Sequence, residues 1–190
     1  MATDTSNFRT EANVFESDLG GVTVRGRAHS LSAWFVLALR LMIGYAFLDS
    51  GWTKITAAEP FSAAGYLTNV TAASPLSGLF HWMGQTAWFV EFVNVAVPWG
   101  EFLIGVALLV GALTRLAAFF GAFMMLLFYF GNWDVAHGVV NGDLAYMMVF
   151  LAVAAFGAGR LLGLDALIEK YDAGGEWLVE KYPKLRYVLG

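Results

Sequence analysis

The sequence predicts an all-α integral membrane protein built as a bundle of four transmembrane helices. Three observations carry that prediction. Hydrophobic residues make up 58% of the 190 positions, and mean hydropathy is +0.62. Charged residues make up only 14%, where a soluble domain carries about 25%. The apolar residues also gather into four stretches, each close to the roughly 20 residues that a helix needs to cross the hydrocarbon core.

Residues 1–30 are polar and acidic and contain no apolar run, so they are expected to form an N-terminal tail and not a signal peptide. The four-helix membrane domain is expected over 31–160. Its first span is 31–51, which should be retained as an anchor. The second is 92–113. The third, 116–133, has a short strongly apolar part, and the fourth is 139–158. Only Thr114, Arg115 and their neighbours separate the second and third spans, which predicts a tight antiparallel hairpin.

The loop 52–91 is rich in Phe61, Tyr66, Leu67, Phe80, Trp82 and Trp88, with Pro60 and Pro75 bounding a short helical stretch. Aromatic anchoring favours short helices lying at the outer membrane interface over an ordinary loop packed on the bundle. The tail 161–190 is amphipathic and is split by Gly174 and Gly175 into two short helical segments, the first opening with an acidic cap at Asp165. These segments should lie on the cytoplasmic interface or against a partner.

Orientation follows from basic residues. Arg25, Arg27, Arg115, Arg160, Lys170, Lys181, Lys184 and Arg186 all fall on one side, and Lys54 falls on the other. Both termini are therefore expected in the cytoplasm of a multi-pass cell-membrane protein.

Composition also excludes chemistries. With no cysteine there is no disulfide, iron–sulfur cluster or covalent haem. His29, His81 and His137 are scattered between segments, which disfavours a bis-histidine haem. A net charge of −4 and a pI near 5.3 argue against nucleic-acid binding. No phosphate loop, dinucleotide fingerprint, nucleophile elbow or H-E-x-x-H pattern occurs, and no flavin signal is present.

Arg40 and Glu101 are the residues that demand explanation, because a charge at bilayer depth costs several kcal/mol unless it finds a partner, water or a task. Arg40, Gly44, Phe47, Gly51 and Lys54 share one helical face; Asn94, Pro98, Glu101 and Gly105 share another. Measured from the inner ends of their predicted spans, Arg40 lies at roughly 14 Å and Glu101 at roughly 18 Å, which predicts an Arg–carboxylate pair. Such a pair serves first as a clamp between two helices and alternatively as the polar end of a pocket. In the pocket reading, Arg40, Glu101, Asn94 and Trp99 bind a quinone, and Glu101 relays a proton. A second polar cluster gathers at the outer surface, where Asp134 and His137 are candidate proton carriers or members of a solvated loop. Their D-x-x-H spacing provides too few ligands for a metal.

These motifs, in their order, resemble the DoxX-like superfamily. The first-helix residues Arg40, Gly44, Phe47-Leu48, Gly51 and Lys54 carry the likeness. So do Gly100-Glu101, Gly105, Leu109, Gly111 and Thr114-Arg115, the polar connection Asn132…His137…Asn141…Asp143, and the closing run Gly157-Ala158-Gly159-Arg160 with Leu164-Asp165. The resemblance covers roughly residues 34–167. It implies a four-helix membrane bundle linked to quinone-dependent redox chemistry, as in the DoxD subunit of thiosulfate:quinone oxidoreductase, which works with a separate DoxA partner. The competing readings are a non-catalytic accessory or assembly subunit of a larger membrane complex, and a small transporter or lipid-binding protein. Membrane lipid and a protein partner or second copy are the expected associates.

Overall fold

A computed structural model of the chain describes residues 14–190, apart from 28, 30, 137, 173, 175 and 176. It divides into two units, with the boundary between Phe35 and Val36. The N-terminal unit holds an antiparallel hairpin, β1 (Val14–Leu19) and β2 (Val22–Arg27), registered from Val14↔Arg27 to Leu19↔Val22. Only two residues, Gly20 and Gly21, make the turn. Both have positive φ (61° and 86°), the backbone that a two-residue type I′ turn requires. Asp18 Oδ1 accepts from Gly21 N at 3.1 Å and braces it. The expected tail thus contains ordered strand.

The membrane domain is helical. Its main elements are α1 (Ser32–Thr56), α2 (Ala64–Thr68), α3 (Ser77–Gln85), α4 (Ala87–Val110), α5 (Thr114–Gly131) and α6 (Gly142–Ala155). A 3₁₀ turn at Ala158–Arg160 follows, then α7 (Asp165–Glu169), α8 (Leu178–Lys181) and a 3₁₀ turn at Pro183–Tyr187. Among the described residues, α1, α4 and α5 are long and apolar enough to cross a membrane. Helix α6 has 14 residues, a length of about 21 Å.

The differences from the predicted spans have local causes. Helix α6 starts late because Asn141 is its cap, its side chain accepting from Leu144 N at 3.0 Å. It ends early at the left-handed Gly157 (φ 59°). Helix α4 stops at Gly111 (φ 67°), where Gly111 N donates to Leu108 O and Ala112 N to Ala107 O, the paired bonds of a Schellman stop. The inter-helix turn is therefore 111–113, and Thr114 and Arg115 already belong to α5.

The bundle is packed through small residues, as expected where lipid removes the hydrophobic drive between helices. Ala117, Ala118, Gly121 and Ala122 line one face of α5 and admit Phe150 from α6. A side chain added at Gly121 would run into that ring. Phe47 meets Phe150 edge to face, with centroids 4.7 Å apart. Helices α1 and α4 cross just as closely. A Cβ at Gly51 would lie 2.7 Å from Pro98 O, and one at Gly105 would lie 2.8 Å from Gly44 O.

The first long loop folds over the end of the bundle. Ala63, Leu67, Val70 and Phe80 form a small second core with Val90 and Val93 of α4 and Phe130 of α5. Ser74 Oγ donates to Phe130 O at 2.7 Å. Trp82 and Trp88 stay exposed. The C-terminal segment also docks onto its own bundle, with Val179 and Leu189 buried and Leu116 N donating to Val188 O.

Candidate functional site

Two sites of buried charge lie within the membrane domain, at opposite ends of the α1–α4 contact; the end where α1 begins and α4 stops is called inner and the other outer, as labels of position in the bundle alone. The expected Arg40–Glu101 pair does not form. The helices register so that Gly51 faces Pro98 and Phe102, Gly105 faces Leu48, and Gly111 faces Arg40. Ten residues of α4 therefore separate Glu101 from the level of Arg40, about 15 Å along the axis. The sequence estimate treated the inner ends of both spans as level, whereas Arg40 stands opposite the turn that follows α4.

Arg40 sits in an inner hub and is 1% exposed. Its Nη1 donates to Ala158 O at 2.6 Å and to Leu161 O at 2.9 Å. These carbonyls lie just past the end of α6, where unsatisfied oxygens favour a cation. Asp165, fully buried, is the opposing charge. Its Oδ1 accepts from Leu113 N at 2.7 Å, and its Oδ2 accepts from Thr114 N at 3.0 Å and Gly190 N at 3.1 Å. Asp165 thus caps the start of α5, 51 residues earlier in the chain, and not its own short helix. Leu113 is left-handed (φ 51°) to make that turn. Gly111 and Gly163 are required here by space, since a Cβ on either would crowd Arg40 Nη1, at 2.8 and 2.9 Å. Nearby, Arg115 Nη1 donates to Arg186 O at 2.6 Å. Arg160 grips Glu169 in a two-pronged fork at 2.8–3.0 Å, which raises the Arg160 pKa further.

The outer site is built from α1 and α4. Lys54, in the last turn of α1, donates from Nζ to Glu101 Oε2 and to Ser50 Oγ, both at 2.6 Å. The Glu101 side chain is 4% exposed and that of Lys54 is 26% exposed. The ammonium lies 5.9 Å from the centre of the Phe61 ring. Pro98 lies inside α4 less than one turn before Glu101. Lacking an N–H, it leaves the Asn94 carbonyl without its helical donor. The site therefore presents a strong donor next to a strong acceptor, with an aromatic wall and partial access.

The remaining predicted residues are dispersed. Asn94 is half-buried and uses its Oδ1 to accept from Ala63 N at 2.7 Å, anchoring the start of α2. Trp99 is 49% exposed and turns outward against Phe102, with centroids 6.0 Å apart. Asp134 is exposed in the α5–α6 connection. His137 lies outside the described residues. Across the same connection, Asn132 Nδ2 donates to Oδ2 of Asp143 in the first turn of α6 at 2.8 Å. Tyr66, beside that region, has its pKa pushed up to about 12 by burial first and by the Asp143 charge second.

Sequence reasoning missed two partners. Lys54 was legible, because it shares the Gly51 face that meets α4. Asp165 was legible as a cap but not as a cap for a distant helix.

No curated protein and no solved structure matches this chain. The DoxX family model matches residues 35–138, more than half of the sequence, and spans both helices of the outer site and the Arg40 end of the hub. The chain belongs to the DoxX family.

Proposed function

We propose that this protein is a membrane subunit of a quinone-linked redox system, with Lys54 and Glu101 as its proton-handling site. The observation that carries the reading is the partly buried Lys54–Glu101 contact at 2.6 Å between two largely apolar helices. A charge pair of this kind is expensive to hold in a membrane, and here it is not fully closed off. The residues suit a quinone ring. The Lys54 ammonium is a donor for a ring oxygen, Phe61 is an apolar wall, and Glu101 and Ser50 hold the ammonium in place. The quinone, when bound, supplies two-electron, two-proton redox chemistry. The chain's own part is to orient the ring and to pass protons between Glu101 and the outer face. Electrons come from a partner or from a directly bound donor; thiosulfate is the donor suggested by the DoxD branch.

In this reading α1, α4, α5 and α6 all cross a cell membrane. Helix α6 is completed by the turns that follow it, and both termini face the cytoplasm. The first loop and its tryptophans rest at the outer interface. Binding of a short-chain benzoquinone to protein in lipid nanodiscs tests the proposal. Lys54→Gln and Glu101→Gln should each weaken binding about tenfold, the first by removing the charged donor to the ring and the second by loosening the hold on that donor. Unchanged affinity in both folded variants rejects the site.

A second reading, a non-catalytic accessory subunit, is favoured by one observation. The inner end carries exposed apolar side chains: Leu162 (80%), Tyr187 (81%), Leu167 (68%) and Tyr171 (66%). Purification in mild detergent with a stoichiometric partner, and no quinone binding, selects this alternative.

A further inference from the structure

The C-terminal segment sets cations and amphipathic rings against the inner end of α5. Residues 181–190 contain Lys181, Lys184 and Arg186 and no acidic side chain. Hydrogen bonds fix this stretch to the first turn of a helix long and apolar enough to cross a membrane. Arg115 Nη1 donates to Arg186 O at 2.6 Å, and Leu116 N donates to Val188 O at 3.3 Å. Leu189 is buried beneath. A helix that crosses a bilayer leaves the hydrocarbon near its first turn, so what is bonded to that turn stands at the level of the headgroups. The exposed side chains suit that level. Tyr171, Trp177, Tyr182 and Tyr187 are each more than half exposed, and Trp and Tyr collect at the boundary between lipid and water.

Beside this segment lies a cleft of about 340 Å³, with Arg160, Glu169, Lys170, Trp177, Glu180 and Arg186 on its walls. Its charges do not cancel. Glu169 is taken by the Arg160 fork. That leaves the exposed Lys170 and Arg186 side chains, which have no hydrogen bond or ion pair among the described residues, against one exposed acid, Glu180. An anion with several acceptor oxygens completes this set, and a guanidinium grips a phosphate through two parallel bonds. We propose that the cleft holds the phosphate of an anionic phospholipid of the surrounding bilayer, with Lys170 and Arg186 donating to it and Trp177 beside its glycerol backbone. Lys184 and Tyr187 stand three residues apart in a 3₁₀ turn and so share one side of it; they extend the contact along the membrane surface. A free anion would use the cations and leave the rings and Leu167, 68% exposed, in water. A lipid uses both. The position at the mouth of a candidate membrane-crossing helix and the cation–aromatic mixture favour the bilayer over a protein partner at this face. The inference is independent of the quinone-linked reading.

The test titrates the full chain, in a neutral detergent, with dioleoylphosphatidylglycerol or with dioleoylphosphatidylcholine, and counts retained lipid by native mass spectrometry. The two lipids share acyl chains and differ in headgroup charge. Wild type, Lys170→Gln, Arg186→Gln and Glu180→Gln are compared. All three positions are exposed, and the bond that Arg186 accepts is made by its backbone, so folding is preserved; monodispersity on size exclusion verifies it. Wild type should prefer the anionic lipid, and added salt should narrow that preference. Lys170→Gln and Arg186→Gln should each weaken phosphatidylglycerol binding about fivefold while leaving phosphatidylcholine within about twofold. Glu180→Gln, which removes the opposing charge, should strengthen phosphatidylglycerol binding. Equal wild-type affinity for the two lipids overturns the proposal, as does unchanged phosphatidylglycerol affinity in both cation variants. Displacement of the lipid by millimolar inorganic phosphate overturns the lipid as occupant. So does purification with a stoichiometric protein partner and no retained anionic lipid.

Discussion

The inner hub and the outer pair are both buried charge clusters in one bundle, and they are built in contrasting ways. At the hub, charge is spent on backbone. Arg40 donates to two carbonyls, and Asp165 accepts three N–H groups, so four stretches of chain are tied at one point. At the outer site, charge meets charge through side chains alone, and one partner is a quarter exposed. Groups committed to backbone cannot turn over a ligand without loosening the fold. Groups that hold only each other can exchange a partner. The lesson is that intramembrane charge by itself does not mark a functional site; what the charge is bonded to does.

The contrast is broken most severely at Asp165. Asp165→Ala leaves three buried N–H groups and the Arg40 charge unanswered, with an expected cost of about 3–5 kcal/mol. We expect little folded protein, read by fluorescence-detected size exclusion. Asp165→Asn retains acceptor capacity and should recover part of that loss. Next is Gly121→Leu, which drives a side chain into Phe150 and should cost about 1–3 kcal/mol, read as a lowered melting temperature in detergent. Glu101→Gln comes third. It should alter stability by about 1 kcal/mol or less, because a neutral side chain still accepts from Lys54, yet it should change quinone binding. The smallest effect is spectroscopic. Tyr66→Phe should remove the phenol that titrates near 12 from the ultraviolet pH titration. Because the folded-state value lies above the ordinary 10, the phenol's contribution to stability is present below pH 10 and declines as pH rises through about 12.

Much of this architecture was legible in sequence because apolar helices announce themselves locally, although only α1, α4 and α5 among the described residues are long enough to cross a membrane. Four apolar stretches located α1, α4, α5 and α6, and Gly111 and Asn141 account for the shifted ends. The hairpin was legible too, since Gly20-Gly21 between two short runs is a hairpin signal, but the polarity of residues 1–30 directed attention to a tail. The Arg40 assignment failed for a different reason. Which residues of two helices face each other depends on the register set by Gly44, Gly51 and Gly105, and a single sequence does not reveal register. Asp165 shows the same limit over a longer range: its acceptors were visible, but donors 51 and 52 residues away were not.

The claim that the hub holds the fold while the outer pair holds the ligand is tested most directly by measuring thermal stability and benzoquinone affinity on the same samples of Asp165→Asn, Arg40→Lys, Lys54→Gln and Glu101→Gln. The account predicts that the first two lower the melting temperature and keep the affinity of whatever remains folded, and that the last two keep the melting temperature and weaken binding about tenfold. The opposite pattern, with affinity lost at Arg40 or Asp165 in well-folded protein and unchanged at Lys54 and Glu101, would contradict it.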